Sequence, residues 1–422
     1  MKKYLYLPLL IILVTSCKKE STRPTIALNP NTDLPHLYIN IKGEQEITSK
    51  EEYLEGTVRI DGRGRYDDYE GEIEIKGRGN NSWQLPKKPY KIKLKSKASL
   101  LGLPAYKEWI LLASYLDGSF LSNTIPYEIG RLLKMPYTNH IIPVEVIINH
   151  KYRGFYIFTE DKEVGKNRIN IGNDGILLEL DTNYDEEWQF LSSNFHLPIM
   201  VQYPKSKDMS FSKLIEIKNN FETLENLVYS STFPNNNYLD YFSDTDFVNY
   251  MIVQQLTANK EINHPKSTYI HKLSGDTKYR MGIIWDFDWA FGYSEVGAHF
   301  ASSTTLTPLF LSKNPTSGTL FLSRILQDPH LRKLLKTQWY WFRANKYHDL
   351  KNHVNEYATL VQQAFENDQY IWGKRTSSGD FEKDLQNALN LVRCQSRTLG
   401  QLCKYHFSDE LICWYATNHT TT

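Results

Sequence analysis

Residues 89–95 read Pro89-Tyr90-Lys91-Ile92-Lys93-Leu94-Lys95, and after the proline apolar and basic side chains alternate strictly. Successive side chains of a β-strand point to opposite faces, so Ile92 and Leu94 share one face and Lys91, Lys93 and Lys95 share the other. The pattern therefore predicts a half-buried strand. Similar stretches on both sides of it favour a β-rich N-terminal part.

Further strand signals lie upstream and downstream of this stretch. They cover residues 36–41, 57–60, 72–76, 144–149, 154–158 and 175–181. Asn149-His150-Lys151 separates two of them and predicts a hairpin turn. The apolar spacing becomes helical after Tyr203, over 211–228 and again over 247–256, where Ser243 and its neighbours predict an N-terminal cap. Residues 320–403 are predicted to be mainly helical. We therefore expect an α+β protein with a β-rich part at 36–203 and a helix-rich part at 204–422.

The composition sets limits on function. The chain has 422 residues, of which 41% are hydrophobic and 23% are charged, so it can bury a substantial core. Its 49 basic and 48 acidic residues give a net charge of +1, which argues against a nucleic-acid-binding protein.

The N-terminus has the pattern of a bacterial export signal. Lys2 and Lys3 precede an apolar stretch at 5–14, and Val14-Thr15-Ser16-Cys17 resembles a lipoprotein cleavage site. We expect a signal peptide at 1–16, lipidation of Cys17, a tether at 17–35 and a lipid-anchored location in the cell envelope. An ordinary signal peptide with an incidental cysteine is the alternative. Pairing among Cys394, Cys403 and Cys413 stays open.

The segment Trp285-Asp286-Phe287-Asp288-Trp289-Ala290-Phe291-Gly292 carries the sharpest chemical signal. An apolar strand at 281–284 leads into it, and two carboxylates one residue apart in a strand point to the same face. Two such oxygen donors can hold a hard cation such as Mg²⁺ beside phosphates. The alternative is that both aspartates cap backbone groups in a tight turn.

A basic segment is the second candidate. Residues 74–97 contain eight basic side chains and one acidic side chain, and a polar loop with Gly77 and Gly79 lies within them. Such a loop and strand could neutralise phosphates, with Arg78, Lys88 and Lys91 as the candidates. An ordinary solvated strand face is the alternative.

A polar loop, Asn259 to Ser267, follows the second helix and precedes a predicted hairpin. Glu261 could act as a base there, and Asn263 or Ser267 could add a metal ligand, although exposed connections are often this polar. Glu160 ends a strand and could pair with a lysine in a cleft or form a structural ion pair.

Taken in order, these segments resemble the CotH kinase family. The resemblance rests on Lys76–Trp83, Pro86–Lys93, Trp109–Asn123, Asn149–Tyr156 leading to Glu160, Leu178–Asp181 and Trp285–Gly292. It implies an atypical protein-kinase-like fold of two lobes. It also implies binding of ATP and Mg²⁺ and transfer of the γ-phosphoryl group to serine of a protein substrate.

The resemblance also implies roles for individual residues. Asp286 matches the metal-binding aspartate, and Asp288 belongs to the same motif. Lys88 or Lys91 would contact phosphates. The loop at 259–267 matches the catalytic loop, where the family usually shows Asn-x-Asp and this chain has Asn259-Lys260-Glu261. Glutamate is one methylene longer but can still accept a proton.

A catalytically silent cell-envelope binding or scaffold protein with the same cleft is the alternative to a kinase. Asp286, Asp288, Glu261 and a lysine in one cleft would favour the kinase, whereas a buried Asp286 bonded only to backbone would favour the silent protein. A glycan-binding protein, suggested by 13% aromatic residues, is a weaker third hypothesis.

Overall fold

The computed structural model describes residues 31–293, 298–300, 316–373, 378 and 380–401. Strands dominate its first part and helices its last, so the predicted α+β class is confirmed. Within these ranges, no helix is both long enough and apolar enough to cross a membrane. The expected signal peptide and Cys17 lie outside the described residues, as do Cys403 and Cys413. Cys394 lies in the last helix and forms no disulfide with a described residue.

Seven strands form a closed barrel in the order β1-β2-β3-β4-β5-β7-β6. They are β1 His36–Ile41, β2 Leu54–Asp61, β3 Tyr69–Gly77, β4 Tyr90–Leu100, β5 Leu103–Leu112, β6 Ile142–Ile148 and β7 Lys151–Glu160. Neighbouring strands are antiparallel except that β1 and β6, which close the barrel, run parallel. The short helix α1 (Asn81–Gln84) lies between β3 and β4, and α2 (Thr124–Leu132) lies between β5 and β6.

Two features of the barrel that the sequence predicts, a half-buried strand and a hairpin turn, are present in the structure. Ile92 and Leu94 of β4 are buried in the barrel, as their alternation predicts. The hairpin between β6 and β7 turns at Asn149 and His150, with φ of 47° and 60°. Two central residues of positive φ give a turn whose twist matches that of the strands, and asparagine tolerates this conformation better than most residues.

A second sheet of five strands has the order β12-β11-β8-β10-β9. Its strands are β8 Ile176–Leu180, β9 Gln189–Leu191, β10 Pro198–Tyr203, β11 Thr268–Lys272 and β12 Tyr279–Met281. The sheet thus combines strands from both sides of the boundary expected between 203 and 204. Because β12 ends at Met281, the segment 285–292 is a loop and not the end of a strand, which corrects the expectation from sequence.

Six longer helices complete the described structure. They are α3 Phe211–Tyr229, α4 Asp244–Thr257, α5 Ser317–Ile325, α6 Pro329–Asn345, α7 Tyr347–Trp372 and α8 Phe381–Gln401. The hydroxyls of Ser210 and Ser243 accept backbone N–H groups at the starts of α3 and α4, so both helices begin at capping residues. Helix α4 packs against α2, α6 and α8, and α7 packs against β7.

The apolar core has two parts that meet at β7. Tyr156 and Phe158 pack inside the barrel. Phe155 and Ile157 point the other way, into the larger core formed with the helices and the second sheet. One strand therefore supports both cores, and the loops at its end have a fixed position relative to each.

Candidate active site

A cleft of about 410 Å³ lies where loops of the barrel meet the second sheet and the loop that follows β12. Its walls include residues from each predicted candidate segment, namely Arg78, Glu261, Ser267, Asp286 and Asp288. These residues are far apart in sequence, and the fold brings them together. The three regions that sequence motifs singled out are therefore one site.

Asp286 and Asp288 reach the cleft through a turn. Asp286 has a left-handed backbone conformation with φ of 59°. Its Oδ1 accepts a hydrogen bond from the Asp288 N–H at 3.3 Å, so part of the tight-turn alternative is present. Asn259 Nδ2 donates to the Asp286 carbonyl oxygen at 3.1 Å and thereby ties the polar loop to this turn.

Glu261 lies in a short 3-10 turn, Lys260–Asn263, at the end of the loop that follows α4. The Asn259 side chain accepts the Glu261 N–H at 3.2 Å and fixes the start of this turn. Glu261 is only 6% exposed. Its Oε2 has no hydrogen-bond partner among the described residues. A buried carboxylate oxygen without a partner is costly, so this atom is suited to a ligand.

Burial and the charges of neighbouring carboxylates raise the pKa of all three carboxyl groups. Burial, followed by the charges of Asp286 and Asp288, raises the pKa of Glu261 to about 9. Burial, followed by the charges of Asp286 and Asp117, raises the pKa of Asp288 to about 8. Burial also raises the pKa of Asp286. The cleft therefore holds a surplus of negative charge that a bound cation would relieve.

Two cations face this acidic group from the other walls. The Arg78 guanidinium carbon lies 5.7 Å from the ring centre of Trp285, and Lys162 Nζ lies 5.7 Å from the same ring. Lys162 Nζ is also 3.5 Å from Glu179 Oε2. Sequence reasoning missed Lys162, although it lies only two residues beyond the strand-end Glu160.

The structure does not bring Lys88, Lys91 or Glu160 into the cleft. Lys88 Nζ donates to the Trp83 carbonyl oxygen at 2.6 Å. Lys91 Nζ lies between two carboxylates, 2.6 Å from Glu108 Oε2 and 2.7 Å from Asp161 Oδ2.

Glu160 is bound to a histidine outside the cleft. Its Oε1 is 2.6 Å from His140 Nδ1, and its Oε2 accepts the His140 N–H at 2.9 Å. Its placement matches the structural alternative. Lys88 and Lys91 differ from Arg78 because nearby oxygens already satisfy their charges.

Ser267 and Asp181 stand together at another wall of the cleft. The Ser267 N–H donates to Asp181 Oδ2 at 3.1 Å, and the Asn183 N–H donates to Asp181 Oδ1 at 2.7 Å. These two hydrogen bonds fit a structural role for the Asp181 carboxylate. The same carboxylate nevertheless adds to the negative charge around Glu261.

The described residues contain no ready-made group of three His, Cys, Asp or Glu side chains arranged around a metal position. Mg²⁺ rarely needs one, because it is usually held by one or two carboxylates, waters and the phosphates of a substrate. Asp286 and Asp288 fit such an ion, and the unpartnered Oε2 of Glu261 lies in the same cleft. Arg78 and Lys162 fit the phosphates that would share it.

The fold and the site define an α+β protein with a cleft in which an acidic group faces basic side chains. The family model described as CotH kinase protein matches residues 74–399, so the chain belongs to the CotH kinase family. The resemblance noted in the sequence is confirmed. A comparison with curated proteins finds none that matches the chain.

Proposed function

We propose that the protein is an Mg²⁺-dependent kinase that transfers the γ-phosphoryl group of ATP to serine of a protein substrate. The observation that carries this proposal is the meeting of Asp286, Asp288 and Glu261 with Arg78 and Lys162 in one cleft. Phosphoryl transfer requires positioning and neutralisation of charge, and these groups are of the kind that supply both. Membership of the CotH kinase family supports the same reaction.

Each side chain has a proposed part in this reaction. Asp286 and Asp288 would hold Mg²⁺, which neutralises charge on the transferred phosphoryl group. Arg78 and Lys162 would bind phosphate oxygens, and both lie 5.7 Å from the ring centre of Trp285. A cation held by Asp286 and Asp288 would lower the raised pKa of Glu261, which could then accept the proton of the serine hydroxyl at its Oε2.

The arrangement around the cleft supports a kinase-like organisation in two lobes. The barrel supplies the Gly77–Gly79 loop and its Arg78. The second sheet and the loop after α4 supply the acidic group. A nucleotide held between these parts would be enclosed by basic residues on one side and by metal-binding residues on the other.

A catalytically silent binding or scaffold protein with the same cleft is the second candidate, and one observation favours it. Glu261 occupies the position at which the family usually has aspartate, and the only hydrogen bond recorded for the Asp286 carboxylate among the described residues is to a backbone N–H. This candidate predicts binding of Mg²⁺ and ATP without transfer.

Calorimetry with the full chain tests the proposal, with ATP titrated in the presence and absence of Mg²⁺. We expect Mg²⁺-dependent binding that Asp286→Asn weakens by about 100-fold or more, because a metal-bound carboxylate is lost. Asp276→Asn is the matched control, since Asp276 pairs with Arg280 and does not line the cleft. No binding by the wild-type protein at millimolar ATP would exclude the kinase.

Transfer is followed separately with γ-labelled ATP, by detection of phosphoserine in the chain itself and in an added protein. Glu261→Gln should retain ATP affinity and lose transfer. Binding without transfer in the wild-type protein would support the silent candidate.

We also propose that Cys17 carries a lipid anchor at the cell envelope. The support is the sequence pattern around it, since Cys17 lies outside the described residues. Mass spectrometry of the mature N-terminus tests the anchor, and Cys17→Ala should release the protein from the membrane fraction. An unmodified Cys17 in the mature chain would refute it.

A further inference from the structure

Lys87 is fully buried, although it belongs to the basic segment that lines the cleft. Its Nζ donates to Asp368 Oδ1 on α7 at 2.8 Å and to the carbonyl oxygen of Phe155. Both side chains of the ion pair are 0% exposed. The ammonium group lies 5.8 Å from the ring centres of Phe120 and Phe155 and 4.7 Å from that of Tyr156.

The backbone of β7 is shaped to receive Asp368. The Phe155 N–H donates to Asp368 Oδ1 at 3.0 Å. Gly154 has φ of 84°, and a Cβ on it would lie 2.3 Å from the same oxygen. A side chain at position 154 would therefore displace the carboxylate. The loop before β4, the strand β7 and the helix α7 all meet at this contact.

Stability alone does not account for such a pair. Removing two charges from water costs free energy, and apolar residues of similar shape often stabilise a core equally well or better. Unlike apolar packing, an ion pair fixes the distance between two particular charged groups. Here it joins two segments that are 281 residues apart in the sequence.

The fixed lysine is connected to the basic wall of the cleft. Leu85, Lys87 and Pro89 all line the cleft. The Pro89 carbonyl oxygen, two residues after Lys87, accepts the Arg78 N–H at 3.2 Å. One backbone hydrogen bond therefore links the segment that carries Lys87 to Arg78, whose guanidinium lies over Trp285.

We propose that Asp368 is a positioning residue for the Arg78 loop and that it acts through Lys87. Helix α7 thus determines the geometry of the basic wall, although it contributes no side chain to the lining of the cleft. The proposal rests on the proposed function only for the role of Arg78 in binding phosphate.

The first test needs no nucleotide. Amide hydrogen exchange of the full chain is measured by mass spectrometry for the wild type and for the double variant Lys87→Met/Asp368→Asn, which removes both charges and keeps similar volumes. We expect exchange in residues 77–91 to become about tenfold faster while β8 and α4 are unchanged, because the loop opens locally. Unchanged exchange in 77–91 would overturn the proposal.

Stability measurements separate positioning from a merely structural role. Asp368→Asn alone leaves the Lys87 ammonium buried beside a neutral partner and should be the least stable variant. The double variant should regain stability but keep the faster exchange. If it regains both, the pair is only structural and the proposal is wrong. Asp246→Asn is the matched control, because it breaks the 2.9 Å pair with Arg280 outside the cleft.

A second experiment measures the ATP affinity of the wild type and the double variant by calorimetry in the presence of Mg²⁺. We expect the double variant to bind about tenfold more weakly than the wild type, since a mobile Arg78 must be ordered on binding. Wild-type affinity together with faster exchange would overturn the link to phosphate binding. A wild-type protein that binds no ATP would refute the proposed function, and the exchange result would still decide whether Asp368 positions the loop.

Discussion

The basic segment shows how differently similar side chains can be used. Arg78 lies over Trp285 and makes no side-chain hydrogen bond or ion pair with a described residue. Lys88 donates to a backbone carbonyl oxygen, and Lys91 lies between two carboxylates. Lys88 and Lys91 are thus held outside the cleft by their partners, whereas Lys162 lines the cleft although it also lies 3.5 Å from Glu179. The number of lysines in a segment is therefore a poor guide to a phosphate site, and their local partners decide.

Arg78→Ala should weaken ATP binding by about 10- to 100-fold, as expected for the loss of a charge-assisted hydrogen bond to phosphate. Lys88→Ala is the matched control and should change the affinity by less than about twofold, because its amine is bonded to the Trp83 carbonyl. Calorimetry with both variants checks the difference. Equal losses would place the phosphates nearer Lys88 than the cleft indicates.

The sequence predicts the kind of chemistry at the site better than it predicts which residues form the site. The Trp285–Gly292 motif is prominent because it has two carboxylates one residue apart, and Glu261 because it lies in a polar loop between a helix and a predicted hairpin. The choice among Arg78, Lys88 and Lys91 could not be made, because the acids that pair with Lys91 come from β5 and from the residue after β7. Lys162 was missed because only the fold places it beside Trp285.

At the scale of elements, β6, β7 and α7 enclose a buried polar group beside the Lys87–Asp368 pair. Glu145 of β6 is 0% exposed, and Tyr152 of β7 donates to its Oε2 at 2.5 Å. Asn367 of α7 donates to the Tyr152 hydroxyl at 3.2 Å. Burial is the main reason that the pKa of Glu145 is raised to about 7, and the charge of Asp368 also raises it. Hydrogen bonds from Tyr152 and Thr32 and the charge of Lys87 lower it.

This raised pKa predicts that stability depends on pH. The folded state holds a proton on Glu145 up to about pH 7, whereas the unfolded chain releases it near 4.5. The stabilising contribution of Glu145 is therefore complete below 4.5 and is lost as the pH rises to about 7, at a cost of at most about 3 kcal/mol. Glu145→Gln should flatten this slope and raise the urea midpoint at pH 8. A lower midpoint at pH 8 would contradict the prediction.

Gly154→Ala should destabilise the protein by about 3 kcal/mol, through left-handed backbone strain and the collision with Asp368. Gly275→Ala is the matched control. Gly275 also has positive φ, at 75°, but a Cβ there meets nothing within 4 Å, so only the strain of about 1 kcal/mol applies. Urea unfolding of both variants measures the difference. Equal effects would mean that Asp368 does not need the space above Gly154.

Elements with local signals were predicted well, and pairing between distant segments was not. Helices α3 and α4 carry capping serines and regular apolar spacing, and the β6–β7 turn has asparagine where φ is positive. The second sheet pairs β8 with β10 and with β11, which follows it by almost ninety positions. No local pattern specifies such a pairing. The strand expected at 281–284 does not extend beyond Met281, where Gly282 follows with φ of 117°, outside the conformation of a strand.

At the scale of the whole molecule, β7 unites the two cores. Tyr156 and Phe158 face the barrel interior, and Phe155 and Ile157 face the helical side. Neither core is complete without this strand.

A net charge of +1 over the entire chain also conceals the acidic surplus inside the cleft, so the global composition says little about the site.

The shared strand predicts a single unfolding transition. Thermal unfolding followed by circular dichroism and by tryptophan fluorescence should give coincident curves. Saturation with ATP and Mg²⁺ at about 100 times Kd should raise the melting temperature of the whole transition by about 3 °C, since it adds about 2.7 kcal/mol. Two separated transitions would show that the barrel and the helical part unfold independently.

The contact between Lys87 and Asp368 has a consequence for the order in which the protein matures. A ribosome adds Lys87 and all seven barrel strands long before it adds Asp368, and the two acids of the Trp285–Gly292 motif also come earlier. A nascent chain can therefore form the barrel and gather the acids while the basic wall still lacks its support. Only translation through α7 supplies Asp368, so we expect the basic wall to become ordered late, when most of the chain has already been made.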